Sequence, residues 1–172
     1  MSRLILYRHA KSSWEKLEQE DHERPLNERG SKAAPKMAKW LASNGFKPDL
    51  VLCSNAVRTR ATLALTLPAF DAPLPDIVID DALYLASAEV ILERVRVHAG
   101  RAPTVMVVGH NPGLQALSLS LVGDGPSEAL RAMSLKFPTA AVAVFDLGVL
   151  AFSDALAGRC KLIAFQVPRE LD

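Results

Sequence analysis

At 172 residues the chain is long enough for a continuous hydrophobic core without staples, and a formal charge of +1 excludes any global pull toward nucleic acid or an anionic membrane. Hydrophobic residues make up 49% and charged residues 23%, the ordinary balance of a soluble globular protein, so any positive potential must be local. No apolar run is long enough to span a bilayer, and the opening one is too short for a signal peptide, so a cytoplasmic protein with a single domain over 1–172 is expected.

The first element organises the rest. Leu4-Ile5-Leu6-Tyr7 is a short apolar run of the kind buried on both faces in a parallel sheet, and it delivers Arg8 and His9 to its carboxyl end. Ligands of open α/β sheets bind just beyond the carboxyl ends of strands. The polar stretch from Ala10 to Arg24 has no clean period and reads as a loop or partly helical flap. Asn27 caps a helix carrying Ala34, Met37, Ala38 and Leu41, which Gly45 stops; Pro35 predicts a kink or a restart within it.

Leu50 to Cys53 forms a second buried strand ending at Ser54, followed by a helix from Ala56 to Leu67 that Pro68 closes. Ile77 to Ile79 is a third strand. Ser87 caps a helix with the stripe Ala88, Ile91, Leu92 and Val95, ending near Gly100. Thr104 to Val108 is the fourth strand and leads into Gly109-His110-Asn111-Pro112, where Asn111 as cap and Pro112 at the first helical position start a helix reaching about Val122. Asp124 to Lys136 reads as loop plus short helix. Ala140 to Leu147 and Cys160 to Val167 read as an antiparallel pair of strands at the edge of a mainly parallel sheet. Cys53 and Cys160 lie far apart within apolar runs and read as buried thiols of a reducing compartment.

Chemistry concentrates at strand ends. Arg8 and His9 follow the first strand, Ser54 leads to Arg58 after the second, and His110 follows the fourth, with Arg24 able to join from the flap. Arginines present planar, permanently charged donors suited to phosphoryl oxygens, and the helix amino-termini after Ser54 and His110 add backbone donors. His9 is the candidate nucleophile, since neighbouring arginine charge favours its neutral form. Arg8 and Arg58 would hold the equatorial oxygens, and His110, if protonated against the phosphoryl dianion, would add a donor. His22 and His98 read as surface residues. Histidine and cysteine spacings do not suit zinc, and no Walker-type, dinucleotide-binding or nucleophile-elbow motif occurs, so no metal and no cofactor is expected.

These motifs resemble a known family. Tyr7-Arg8-His9-Ala10 resembles the Arg-His-Gly signature of the histidine phosphatase superfamily, which includes the phosphoglycerate mutases. The stretch from Ser54 to Thr62 is similar to its second motif, and Gly109-His110-Asn111-Pro112 to its third. Arg24 to Gly30 and the ending Phe165 to Leu171 resemble the short SixA-type phosphohistidine phosphatases. The resemblance implies a phosphoglycerate mutase-like three-layer α/β/α sandwich. It also implies a metal-independent phosphatase in which His9 is phosphorylated, Arg8, Arg58 and His110 form the phosphate pocket, and Arg24 is its fifth, phosphate-binding member.

The chain departs from the pattern in two places. Ala10 stands where the family has glycine, which is tolerable if no positive φ is needed there. Many members carry a glutamate after the third strand to protonate an alkoxide leaving group; here Asp80-Asp81-Ala82-Leu83 offers none in register, leaving Asp21, Asp81 and Glu89 as candidates. A phosphoramidate has less need of such an acid. The expected substrate is therefore a phosphorylated protein, such as a histidine-phosphotransfer domain, reached through a pocket that no long insertion closes. Small phosphomonoesters, sugar or nucleotide phosphates, are the alternative, with a mutase behind them. A phosphate-binding module without turnover is the reading from another class.

Overall fold

In the computed structural model, which describes residues 1–155 and 157–172, the strands join one sheet in the order β3-β2-β4-β1-β6-β7-β5. They are β1 (Arg3–Arg8), β2 (Leu50–Ser54), β3 (Asp76–Asp80), β4 (Thr104–Gly109), β5 (Val122–Asp124), β6 (Val142–Asp146) and β7 (Cys160–Gln166). The α-helices are α1 (Glu28–Ser43), α2 (Val57–Thr66), α3 (Ala88–His98), α4 (Gly113–Leu121) and α5 (Ser127–Leu135). β1 pairs in parallel with β4 and antiparallel with β6, and β6 pairs antiparallel with β7.

Alternation along the strands builds the layers. Leu4, Leu6, Leu52, Val105 and Val107 face α3, α4 and α5, joining Ile91, Val95, Leu117 and Met133 in one core. Ile5, Tyr7, Val51, Cys53, Met106 and Val108 face the other way, onto Ala34, Met37 and Leu41 of α1 and Leu63 of α2. Both faces of the central strands are therefore dry, which is why they read as unbroken apolar runs. Cys53 and Cys160 are both buried and free.

The path of the chain makes the crevice. After β1 the chain crosses to the α1–α2 face, whereas after the adjacent parallel strand β4 it crosses to the opposite face through α4. Such a reversal opens a gap at the strands' carboxyl ends. His9 N–H donates to the Gly109 carbonyl at 3.0 Å, so the two strand ends stay in register up to the residues that carry function.

Several local expectations shift. α1 does not restart at Pro35 but continues through it as one helix. The proline removes the N–H that would reach the Ser31 carbonyl and its ring crowds that carbonyl; Ser31 is exposed, so water can take the freed bond. Asn27 does cap α1, its Oδ1 accepting from Gly30 N–H at 2.9 Å. Pro112, not Asn111, occupies the N-cap of α4, preceded by a cis Asn111–Pro112 bond. Asn111 instead spans outward, its Nδ2 donating to the Phe137 carbonyl at 3.0 Å while its Oδ1 accepts from Gln115 N–H. β5 was not legible: three residues, including a glycine, become a strand only because β7 offers an edge. Ala10 needs no positive φ.

The segment 10–24 is largely irregular, with a 3-10 turn at Asp21–Glu23 and an antiparallel bridge between Ser12 and Leu26. It is clamped to α1 at Gly30, where an added Cβ would lie 2.1 Å from the Lys11 carbonyl oxygen. That same oxygen accepts from Asn27 N–H at 3.0 Å and cannot move freely. Gly30→Ala is expected to destabilise the fold by about 1–3 kcal/mol through overpacking; urea unfolding of the variant against the parent measures this.

Candidate active site

The carboxyl ends of β1, β2 and β4 bring His9, Arg58 and His110 into one buried cluster, with exposures of 6%, 2% and 2%. Arg58 stands second in α2, and that helix is aimed by hydrogen bonds at its start: Thr59 Oγ1 donates to the Ser54 carbonyl at 2.7 Å. Thr62 Oγ1 donates to the Arg58 carbonyl at 2.7 Å and accepts from Ala10 N–H at 2.9 Å, tying α2 to the end of β1.

Two contacts fix the His9 ring. Nδ1 lies 2.7 Å from the Ala10 carbonyl, an acceptor, so Nδ1 carries the proton. Nε2 then has the lone pair and accepts from Arg58 Nε–H at 3.3 Å. Burial is the largest cause lowering the His9 pKa; the Ala10 bond opposes it, and the charges of Arg58, Arg8 and Arg24 add to it, leaving it at about 4. The arginine charges emphasised by the sequence reading are thus secondary to desolvation.

His110 is 5.4 Å from His9 between ring centroids. Its Nε2 is 2.7 Å from Ser54 Oγ, and its Nδ1 accepts from Arg58 Nη2 at 3.4 Å. Burial, then His9 and Arg58, lower its pKa to about 3, so both imidazoles are neutral at pH 7. Arg8 donates through Nη1 to the Phe137 carbonyl at 2.8 Å, the carbonyl that also receives Asn111. Its Nε is buried without a partner among the described residues, a costly donor to leave unmatched.

Asp21 completes the cluster. Its Oδ2 accepts from Arg58 Nη2 at 2.9 Å and from the Tyr84 hydroxyl at 2.5 Å, and its main-chain carbonyl accepts from Arg58 Nη1 at 2.6 Å. Its Oδ1 accepts from Arg24 Nε at 3.0 Å. Burial works against the charge, but the Tyr84, Arg58 and Arg24 bonds outweigh it and hold the carboxyl well below its usual range. Asp21 is therefore an ionised anchor, ill-suited to donate a proton. Asp81 and Glu89, the other carboxylic acids suggested by sequence, are exposed. Arg24 itself is buried, its Nη1 donating to Ser12 Oγ at 2.9 Å and its guanidinium lying 3.5 Å from the Trp14 ring centroid. It reaches Arg58 through Asp21.

Two rim residues escaped the sequence reading. Tyr84, just past the third strand, packs edge-on against His110 with centroids 5.4 Å apart. His22, read as a surface residue, stands 4.8 Å from the Tyr84 ring and hydrogen-bonds Asn55 Oδ1 at 2.8 Å and Glu23 Oε1 at 2.9 Å. Those Asn55 and Glu23 bonds raise its pKa. The flap folds back over α2 and brings it there. The only available signal was Asp21-His22 preceding Arg24. His98 sits elsewhere, on α3, 3.5 Å from Asp80.

Arginines and neutral histidines thus gather at the strand ends of a three-layer α/β fold. The family model for branch 1 of the histidine phosphatase superfamily matches residues 4–84. A SixA phosphohistidine phosphatase candidate from Agrobacterium tumefaciens superimposes with a TM-score of 0.81 at 34% identity, over 97% of this chain and 98% of that one. Its counterpart from Nakamurella superimposes with a TM-score of 0.83 at 31% identity, over 97% and 96%. An uncharacterised Mycobacterium tuberculosis protein is 37% identical over 94% of this chain and 99% of its own. The chain belongs to the histidine phosphatase superfamily.

The depressed histidine pKa values set the pH response. An unfolded histidine titrates near 6.5, whereas folded His9 and His110 titrate at about 4 and about 3. Between those values the unfolded chain binds protons that the folded one does not, so the contribution of these two imidazoles to stability is complete above about pH 6.5 and is lost as pH drops through the folded values. Nitrogen NMR of the imidazoles is expected to show His9 as the Nδ1–H tautomer down to about pH 5, with urea midpoints declining over the same range.

Proposed function

We propose that this protein hydrolyses a phosphoryl group through a phospho-His9 intermediate and that its substrate is phosphohistidine carried on a protein. The observation that supports the first part most is the His9 ring itself: buried, neutral, and held with the Nε2 lone pair on the side of Arg58. As the Arg58 Nε–H turns from Nε2 to a phosphoryl oxygen, that lone pair attacks phosphorus; the new N–P bond forms as the bond to the leaving group breaks, and water then cleaves phospho-His9 to release phosphate. Arg58, and Arg8 through its unmatched Nε–H, would take the equatorial oxygens, whose charge must be stabilised in the transition state. His110 would give up its Arg58 bond, take up a proton at Nδ1 when the dianion arrives and donate to it, with Nε2 retained on Ser54.

The leaving group supports the second part. The carboxylate that reaches the cluster, Asp21, is held ionised by Tyr84, Arg58 and Arg24. An alkoxide would need a proton at that moment. A phosphohistidine with its other ring nitrogen protonated leaves as neutral imidazole and needs none. In this reading the reaction uses no metal. The identity of the two SixA candidates, above 30% over nearly the whole chain, points the same way.

Two experiments test these parts separately. His9→Ala is expected to abolish turnover and the acid-labile labelling that ³²P-substrate leaves on the parent enzyme; retained activity would overturn the mechanism. On the parent, kcat/KM for a phosphohistidine protein should exceed that for sugar and nucleotide phosphates by orders of magnitude. A preference for the small esters would overturn the substrate.

A further inference from the structure

Beside the catalytic cluster runs a second concavity of about 390 Å³ that the reaction does not use. It lies between the start of α1, the end of α5 and the chain's last residues. Its wall is continuous with the backbone of the site. Lys11 follows Ala10, whose carbonyl holds His9, and Lys136 and Pro138 flank Phe137, whose carbonyl holds Arg8.

The chemistry of this groove is uneven. Lys11, Arg29, Arg131, Lys136 and Arg169 line it, all exposed and none in an ion pair among the described residues. Glu128 and Glu170 are the carboxylates in its lining, so cations exceed them by 5 − 2 = 3 in a protein whose whole net charge is +1. Its floor is apolar, with Phe165, Val167 and Ala132, and Leu135 stands at its lip 73% exposed. An exposed leucine within a cationic rim is the pattern of a protein interface, where an apolar centre is ringed by charge. A polyphosphate or nucleic-acid strand would use the cations and leave the floor idle.

We propose that this groove docks the protein substrate, binding an acidic face with an apolar centre next to the phosphorylated side chain while that side chain enters the pocket. The proposal rests on the phosphohistidine-protein reading above and adds to it where the rest of the substrate sits. Docking would supply binding energy remote from phosphorus, so its loss acts on large substrates and spares small ones. Exposed charges of this kind also steer encounter, and the effect weakens with salt.

The test compares the parent with Arg131→Glu/Arg169→Glu and, separately, Leu135→Ser, all at exposed positions away from the cluster. Histidine-phosphotransfer proteins phosphorylated with phosphoramidate serve as one substrate and p-nitrophenyl phosphate as the other. The charge-reversed variant is expected to lose at least about tenfold in kcat/KM on the phosphoprotein and most of its salt dependence, with aryl phosphate turnover unchanged. Leu135→Ser should raise KM for the phosphoprotein alone. Unchanged phosphoprotein turnover, or equal losses on both substrates, would overturn the docking site while leaving the substrate assignment intact. A parent enzyme active on aryl phosphate but on no phosphoprotein would overturn the substrate assignment, and the docking site with it.

Discussion

One buried cation governs this molecule. Arg58 is 2% exposed and lies against both neutral imidazoles of the site. A guanidinium taken out of water is tolerable only with compensation, and Asp21 supplies it through both its carboxylate and its main-chain carbonyl. The arrangement has a direction: Asp21 holds the two terminal nitrogens, while Nε faces the His9 lone pair. The cation is thereby fixed between the flap and the two imidazoles.

Neutrality of the histidines is the second half of that balance. Each is deprived of water and set beside positive charge, and both effects disfavour imidazolium. The Nε2 atom of His9 is thereby kept free of a proton, and His110 stays neutral beside it. The sheet makes this affordable. Both faces of β1, β2 and β4 are sealed by helices, so the cluster sits at the open end of a rigid, dry frame.

The segment from Lys136 to Ala140 links the pocket to the surface beside it. The Phe137 carbonyl fixes Arg8 and Asn111, and Ala140 N–H returns to the His9 carbonyl at 3.0 Å. Its neighbours Lys136 and Pro138 face the cationic groove. The groove wall and the setting of Arg8 and His9 thus share one stretch of backbone.

Apolar runs and the residues that end them were legible from the chain alone, because a strand buried on both faces must be apolar throughout and its first polar residues fall at the sheet's rim. That logic found Arg8, His9, Ser54, Arg58 and His110, and it found most of the helices through their caps and stripes. It could not find β5, whose strand character is borrowed from β7, nor the continuity of α1 across Pro35. The places of Tyr84, His22 and Asp21 were likewise decided only by tertiary structure. They lie on loops without periodicity, and which of them touches Arg58 depends on how the flap folds back over α2. Local sequence sets what a residue can do; long-range packing chooses its partners, and with them its charge.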